Sequence, residues 1–428
     1  MISVILPADI AYISCCIIGP KVRGEHLCLI LRNHLVMNKI IFTEEFCQPE
    51  NLYPFTLTRQ LQDIRVGILT IREKWEMMLG LASFDKKEDD YKDLGRSVNI
   101  DEAVGNDVCL MIHGNVLPTP KLVKAISRLK DGEFIATPGG SSVAFRITKR
   151  DIVDKFKIKV GQAVTFKEPI KTIQYPWDLF QLNDWAIKQD FALLTEKRKS
   201  QPLAKTNKVI RPSQVFVEKG ARVEFSVINA SEGPVYIGKN AEIMEGCLIR
   251  GSFAMGENSC LKMGSKVYGA TTLGPGCVVG GEIKNSVLFG YSNKAHDGYL
   301  GDSVIGEWCN MGAGTTNSNL KNNASDVKIW TPKGEMNAGM KCGVIMGDYS
   351  RTAVNTSINT GTVIGVSCNV FGYGLTPKYI PSFSWGSEGV NRYEFDKALL
   401  DIADWKKLKG KEVNEEEKSI LKYIFDKF

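Results

Sequence analysis

From residue 237 to residue 279 an aliphatic side chain returns at every sixth position: Ile237, Ile243, Ile249, Met255, Leu261, Val267, Leu273 and Val279. Four residues after each stand Ala241, Cys247, Phe253, Ser259, Ser265, Thr271, Cys277 and Ile283, most of them small. A period of six matches neither the 3.6-residue turn of a helix nor the two-residue pleat of an ordinary strand. It is the pattern of a β-solenoid, in which each six-residue unit forms one flat face of a prism. The aliphatic residue points inward, and the small one fits the tight space near a corner. The spacing restarts at Leu300-Gly301-Asp302, Ile305-Gly306-Glu307 and Met311-Gly312-Ala313-Gly314, and again at Met346, Thr352, Ile358, Ile364 and Val370. The two interruptions, residues 285–299 and 317–342, are predicted to leave the prism as loops, where rigid scaffolds usually carry their chemistry.

The chain's 428 residues predict two domains with tails. The net charge of +6 is scattered rather than gathered into a stripe, which argues against a nucleic-acid partner and leaves Lys and Arg as candidates for small anions. No CxxC occurs among the eleven cysteines, and Cys247, Cys277, Cys309 and Cys368 fall at small-residue positions of the repeat. Reduced thiols in a cytoplasmic protein are the expectation. Residues 2–18 are apolar but contain Pro7 and Asp9, lack a basic stretch ahead of them, and offer only a feeble lipobox-like Ser14-Cys15. No membrane span is expected. Residues 1–36 read as a non-native or disordered extension before a start at Met37. The predicted division is an α/β domain over 37–205, a left-handed parallel β-helix over 206–374, and a helical cap over 375–428, with a linker near 196–208.

Two segments of the first domain carry more than fold. Asn51-Leu-Tyr-Pro-Phe-Thr56 leads into residues 61–73, and with Tyr175-Pro-Trp-Asp-Leu-Phe-Gln-Leu-Asn183 it resembles sugar-phosphate nucleotidyltransferases. The resemblance implies a loop after the first strand that cradles a nucleoside triphosphate. Arg59, Arg65, Arg72 and Lys74 would supply positive charge to it. The sequence departs from that family at Thr43-Glu-Glu-Phe-Cys-Gln-Pro-Glu50, which replaces a glycine-rich loop with acidic residues. It departs again at Gly114-Asn115, where the family has a magnesium-binding Gly-Asp. An amide is a weaker ligand for a hard cation.

The most specific stretch is Asn293-Lys-Ala-His296-Asp-Gly-Tyr299-Leu-Gly-Asp302, followed by Ile305-Gly-Glu-Trp-Cys-Asn310-Met-Gly-Ala313-Gly314-Thr-Thr316 and Asn317-Ser-Asn319. It resembles the acetyltransferase half of the bifunctional N-acetylglucosamine-1-phosphate uridylyltransferase / glucosamine-1-phosphate N-acetyltransferase family. With the degenerate first domain, the whole is similar to a divergent branch of that family. His296 is the one histidine of the predicted solenoid, and a base titrating near neutrality is what attack by an amine on a thioester requires. The resemblance implies His296 as general base, and Tyr299, Asn310 and Asn319 as sugar contacts. It implies phosphate contacts at Lys284 and at Lys266, where the family has an Arg. Leu320 replaces a family Tyr. Backbone N–H groups near Ala313 and Gly314 are candidate oxyanion donors beside acetyl-CoA.

The expected activity is acetyl transfer to glucosamine-1-phosphate, then uridylyl transfer from UTP with Mg²⁺ to give UDP-N-acetylglucosamine, in a homotrimer. Alternatives are a nucleotidyltransferase for another sugar-1-phosphate, such as glucose-1-phosphate with a thymidine or uridine triphosphate, and a decayed trimeric scaffold. A zinc hydrolase built on the same repeat needs about three histidine ligands, and the predicted solenoid has only His296.

Overall fold

The computed structural model describes residues 37–428 apart from 46, 88–90, 93–94, 106, 155–156, 160 and 428. The expectations for residues 1–36 lie outside the described residues. Residues 37–428 form a single compact unit.

Its N-terminal part is an α/β layer on a seven-stranded sheet. The strand Met37–Thr43 runs parallel to Ser83–Lys86 on one side and to Val108–His113 on the other. Val108–His113 is buried along its whole length, as a strand covered on both faces must be. The helix Ile71–Leu79 follows from its ends: Thr70 and Glu73 form a capping box, and Gly80 closes it in the left-handed conformation (φ 67°). The helices Pro176–Gln181 and Asn183–Thr195 then lead the chain onto the solenoid.

The hexad pattern becomes three stacked sheets of short parallel strands. One face has six strands, from Lys208–Ile210 to Tyr299–Gly301. A second has nine, from Val215–Val217 to Tyr379–Ile380. A third has eight, from Arg222–Val223 to Asn369–Val370. Ile237, Met255 and Leu273 lie opposite one another on the second face. Ile243, Leu261 and Val279 do so on the third. Every member of the aliphatic series is buried in one apolar column, joined by the thiols of Cys247, Cys277, Cys309 and Cys368.

Two expectations are corrected here. Residues 285–299 do not leave the prism, because Val267 pairs with Ile283, Leu273 with Leu288 and Val279 with Lys294. This coil closes in fewer residues than its neighbours, so the hexad count slips while the ladder stays whole. The repeat also continues past residue 374, since Tyr379–Ile380 adds a strand against Val363–Ile364. The second interruption does project. It folds as the antiparallel hairpin Lys328–Thr331 and Gly334–Asn337, whose Ile329 is buried in the same apolar cluster as the α/β layer.

The nine-stranded face is a wall shared with the N-terminal part. Ile68 and Ile187 pack on the outward Phe216, Tyr236, Ala254 and Ala270. Asn183, fully buried, donates to the Ala270 carbonyl (2.8 Å) and accepts from Thr272 (3.1 Å) and the Gly67 N–H (2.8 Å). Arg59 inserts beside Phe289 and pairs with the buried Asp348 of the solenoid, which also accepts from Thr58 (2.6 Å) and the Glu307 N–H (2.8 Å). The helices Phe395–Lys407 and Glu415–Lys427 complete the packing, with Glu417 taking both Lys406 (2.5 Å) and the Tyr349 hydroxyl (2.7 Å).

Replacing Asp348 by Ala leaves the buried Arg59 guanidinium only the more distant Glu307 carboxylate (3.8 Å). A loss of about 3–5 kcal/mol is expected, read as a fall in the urea midpoint; an unchanged midpoint would contradict the buried pair.

Candidate functional site

A turn at a prism corner carries His296. It joins Asn293–Lys294 on the eight-stranded face to Tyr299–Gly301 on the six-stranded face. Three contacts fix the turn. The buried Lys294 ammonium donates to the His296 carbonyl (2.6 Å) and the Gly280 carbonyl (3.3 Å). The Gly314 N–H donates to the Asp297 carbonyl (3.1 Å), and the Tyr299 N–H reaches the Thr316 hydroxyl (3.3 Å). Gly298 has φ 123°, and a Cβ there would lie 2.1 Å from the Thr315 carbonyl oxygen, so no other residue fits. The His296 side chain is exposed at the corner.

On one side of the corner is a cavity of about 580 Å³ lined by Asn293, Ala295, His296, Asn310, Ala313 and Val354. Its far wall is Trp405, Leu408 and Lys409 from the C-terminal segment. Lys409 holds that wall in place by donating to the Gly276 carbonyl (2.6 Å) and Asn293 Oδ1 (2.9 Å), and Arg351 lies 5.5 Å from the Trp405 ring centre. Residues 312–315 form a turn in which the Thr315 N–H returns to the Gly312 carbonyl (3.1 Å) and Gly314 has φ 73°. That is a type II turn with Ala313 at its second position. Gly314 is corrected as an oxyanion donor because its N–H is engaged by Asp297. Among the described residues no acceptor takes the Ala313 N–H.

On the other side lies the six-stranded face. Lys266, Glu282 and Tyr299 stand opposite one another in the ladder, as do Tyr268, Lys284 and Gly301. The Tyr268 hydroxyl donates to Glu282 (2.6 Å). Asn319 donates to the Tyr299 oxygen (3.1 Å) and to Asp302, which also accepts from Asn285 (2.7 Å). Burial, with the nearby Asp302 carboxylate, holds the Tyr299 phenol above its ordinary range, so it stays neutral. Lys266 sits in a cleft of about 490 Å³ with Tyr268, Glu282 and Arg250. The corner loop therefore divides the expected residues: His296, Asn310 and Ala313 face the cavity, and Lys266, Lys284, Tyr299 and Asn319 belong to the neighbouring face.

A third pocket, of about 290 Å³, opens at the carboxyl ends of Met37–Thr43 and Val108–His113, where parallel sheets bind ligands. Cys47, Gln48, Asn51, Asn115, Gln174 and Tyr175 line it. Arg59, Arg65, Arg72 and Lys74 do not, which corrects their assignment to a triphosphate. Arg59 pairs with Asp348, and Arg65 donates to the Ile68 and Phe289 carbonyls. Arg72 bridges Asp63 and Asp85 (both 2.6 Å), and Lys74 pairs with the buried Asp190. Buried cations need such partners, and no local pattern distinguishes them from exposed ones. The acidic loop is turned toward protein cations: Glu45 pairs with Lys86 (2.7 Å), and Glu44 pairs with Lys92 (3.5 Å) while also accepting from the Leu61 N–H (2.6 Å). The pocket's donor set does not fit a protein-held magnesium. It offers neutral amides, Asn115 Oδ1 already accepts from Cys47 (3.3 Å), and no group of three His, Cys, Asp or Glu that could hold a metal occurs among the described residues. No described helix is long and apolar enough to cross a membrane.

Sequence reasoning missed Glu282, Lys294, Trp405 and Lys409 as parts of the site. Lys294 stands inside the recognised loop segment, but only the shortened coil shows that it points inward. Trp405 and Lys409 lie well beyond the last prism strand, Tyr379–Ile380, and carry no local signal.

Residues 40–199 match the family model of sugar nucleotidyl transferases. The chain is 30% identical over 250 residues to a bifunctional sugar-1-phosphate nucleotidylyltransferase/acetyltransferase of Sulfurisphaera tokodaii, covering 54% of this chain and 55% of that protein. It is 36% identical over 87 residues to the bifunctional protein GlmU of Methanocaldococcus jannaschii, covering 20% and 21%. To the GlmU of Synechococcus elongatus it is 21% identical over 252 residues, covering 53% and 52%. The chain thus spans about half the length of the longest of these matches. A region matching sugar nucleotidyl transferases is followed by a solenoid, and over about half its length the chain is similar to bifunctional proteins of the GlmU kind.

If the corner has this geometry, Gly298→Ala must distort it. A loss of about 1–3 kcal/mol is expected from the forced backbone strain, measured by thermal unfolding. A wild-type melting temperature would show that the turn is not held as described.

Proposed function

We propose that the solenoid acetylates the amine of glucosamine-1-phosphate from acetyl-CoA, with His296 as general base. The observation that carries this reading is the placement of His296 on a pinned corner between an open cavity and the polar face of Tyr299, Asn319 and Lys284. The thioester would enter the cavity against Trp405 and Leu408, and the sugar phosphate would lie on the neighbouring face. The amine nitrogen attacks the thioester carbon, forming the C–N bond. His296 removes the amine proton and returns it to the sulfur as the C–S bond breaks. The Ala313 N–H is the fixed donor for the transient oxyanion. Lys266 and Lys284 supply charge for the phosphate, as single points rather than an Arg fork.

The strand-end pocket with Asn115 and Tyr175 is the proposed seat of the second reaction. There the phosphate of N-acetylglucosamine-1-phosphate attacks the α-phosphorus of UTP and pyrophosphate leaves, giving UDP-N-acetylglucosamine. The neutral lining recognises base, ribose or sugar through hydrogen bonds. Any Mg²⁺ enters as part of the triphosphate substrate. The six-stranded face exposes Val227 and Leu248 opposite one another in the ladder, with the exposed Ile210 in the adjoining column, which supports association of prisms into a trimer.

His296→Ala is expected to lower acetyl-transfer kcat by about 10²–10⁴-fold with the product otherwise unchanged; full activity in this variant removes the base. Ala313→Pro deletes one N–H at a position where a type II turn accepts proline. It should cost about 10²–10³-fold in kcat without loss of melting temperature. Calorimetric titration with UTP–Mg²⁺ is expected to give one site per chain, and an absence of heat at millimolar UTP would sink the nucleotidyl half.

A further inference from the structure

In the eight-stranded face the inward column runs Leu261, Val279, Lys294 and Met311, so an ammonium takes a place that neighbouring coils give to apolar side chains. Lys294 is 2% exposed and makes no ion pair among the described residues. Burial pulls its pKa down to about 8, with Asp297 opposing, so it is still largely charged at neutral pH. An unpaired buried cation is among the costlier things a core can hold. A leucine or methionine would serve the prism better. What the ammonium reaches is narrow: the Gly280 carbonyl and, at 2.6 Å, the carbonyl of His296 itself. The next carbonyl, that of Asp297, is taken by Gly314. Two successive peptide planes are therefore fixed, one from inside the prism and one from the adjoining coil. The first of them sets the direction in which the His296 side chain leaves the backbone.

We propose that Lys294 is a positioning residue, a charge held inside the prism to orient the His296 peptide so that the imidazole faces both the cavity and the sugar face. This rests on the acetyl-transfer reading of the corner. It assigns Lys294 no contact with substrate.

The test uses the full chain and the variant Lys294→Met, which keeps the stem and removes the donor. Three results are expected together: a melting temperature no lower than wild type, a kcat for acetyl transfer lower by about 10–100-fold with KM for acetyl-CoA within about two-fold, and backbone hydrogen exchange across residues 295–298 faster by about ten-fold. A purely structural lysine would instead lower the melting temperature. Wild-type kcat and wild-type exchange, or a lower melting temperature with unchanged kcat, would overturn the proposal. If Lys294→Met does not fold, Lys294→Gln, which retains a shorter neutral donor, takes its place in the same three measurements. If the wild-type chain transfers no acetyl group, the acetyl-transfer reading falls. The exchange rates still decide whether Lys294 holds the loop.

Discussion

The unbroken strand ladder of the prism is the constraint on which everything else rests. Parallel pairing from coil to coil, Ile237 to Met255 to Leu273 and onward, fixes which side chains point in and which point out. A short strand cannot slip by one residue without turning its apolar side chain to solvent. The shortened coil at 283–294 obeys that rule by trimming its corners and keeping its pairs. Corners are the only places where the backbone is free to bulge, and the His296 turn occupies one. The three faces then take different surroundings. The nine-stranded face is covered by the α/β layer, the eight-stranded face carries the cavity walled by the C-terminal segment, and the six-stranded face presents its polar column.

Buried charge follows the same division. Arg59 with Asp348, Arg72 with Asp63 and Asp85, and Lys74 with Asp190 each neutralise a cation inside the packing. Such pairs are weak evidence of stability, because desolvation offsets much of the attraction, yet breaking one is costly. They fix how the layers meet. Lys294 differs from all of them: its acceptors are carbonyls beside the corner rather than a carboxylate.

The solenoid was legible because its period is unique and repeats often enough to exclude accident. The α/β layer is legible in the apolar runs at 40–42 and 108–112, which form the strands Met37–Thr43 and Val108–His113. His296, Tyr299 and Asn319 could be singled out because a dense local motif contains them. The cations of the first domain could not be sorted in the same way. Whether an Arg meets a carboxylate or a phosphate depends on partners up to 289 residues away, as for Arg59 and Asp348. Counting sixes also failed where a coil is short, since pairing is set by ladder hydrogen bonds and not by residue number. The wall formed by Trp405 and Lys409 is wholly tertiary.

The most direct measurement is mass spectrometry of the products formed by the full chain with glucosamine-1-phosphate, acetyl-CoA, UTP and Mg²⁺, with His296→Ala run beside it. The account predicts N-acetylglucosamine-1-phosphate passing on to UDP-N-acetylglucosamine, with both absent or strongly reduced in the variant. Free amino sugar recovered intact while acetyl-CoA remains unconsumed would contradict it.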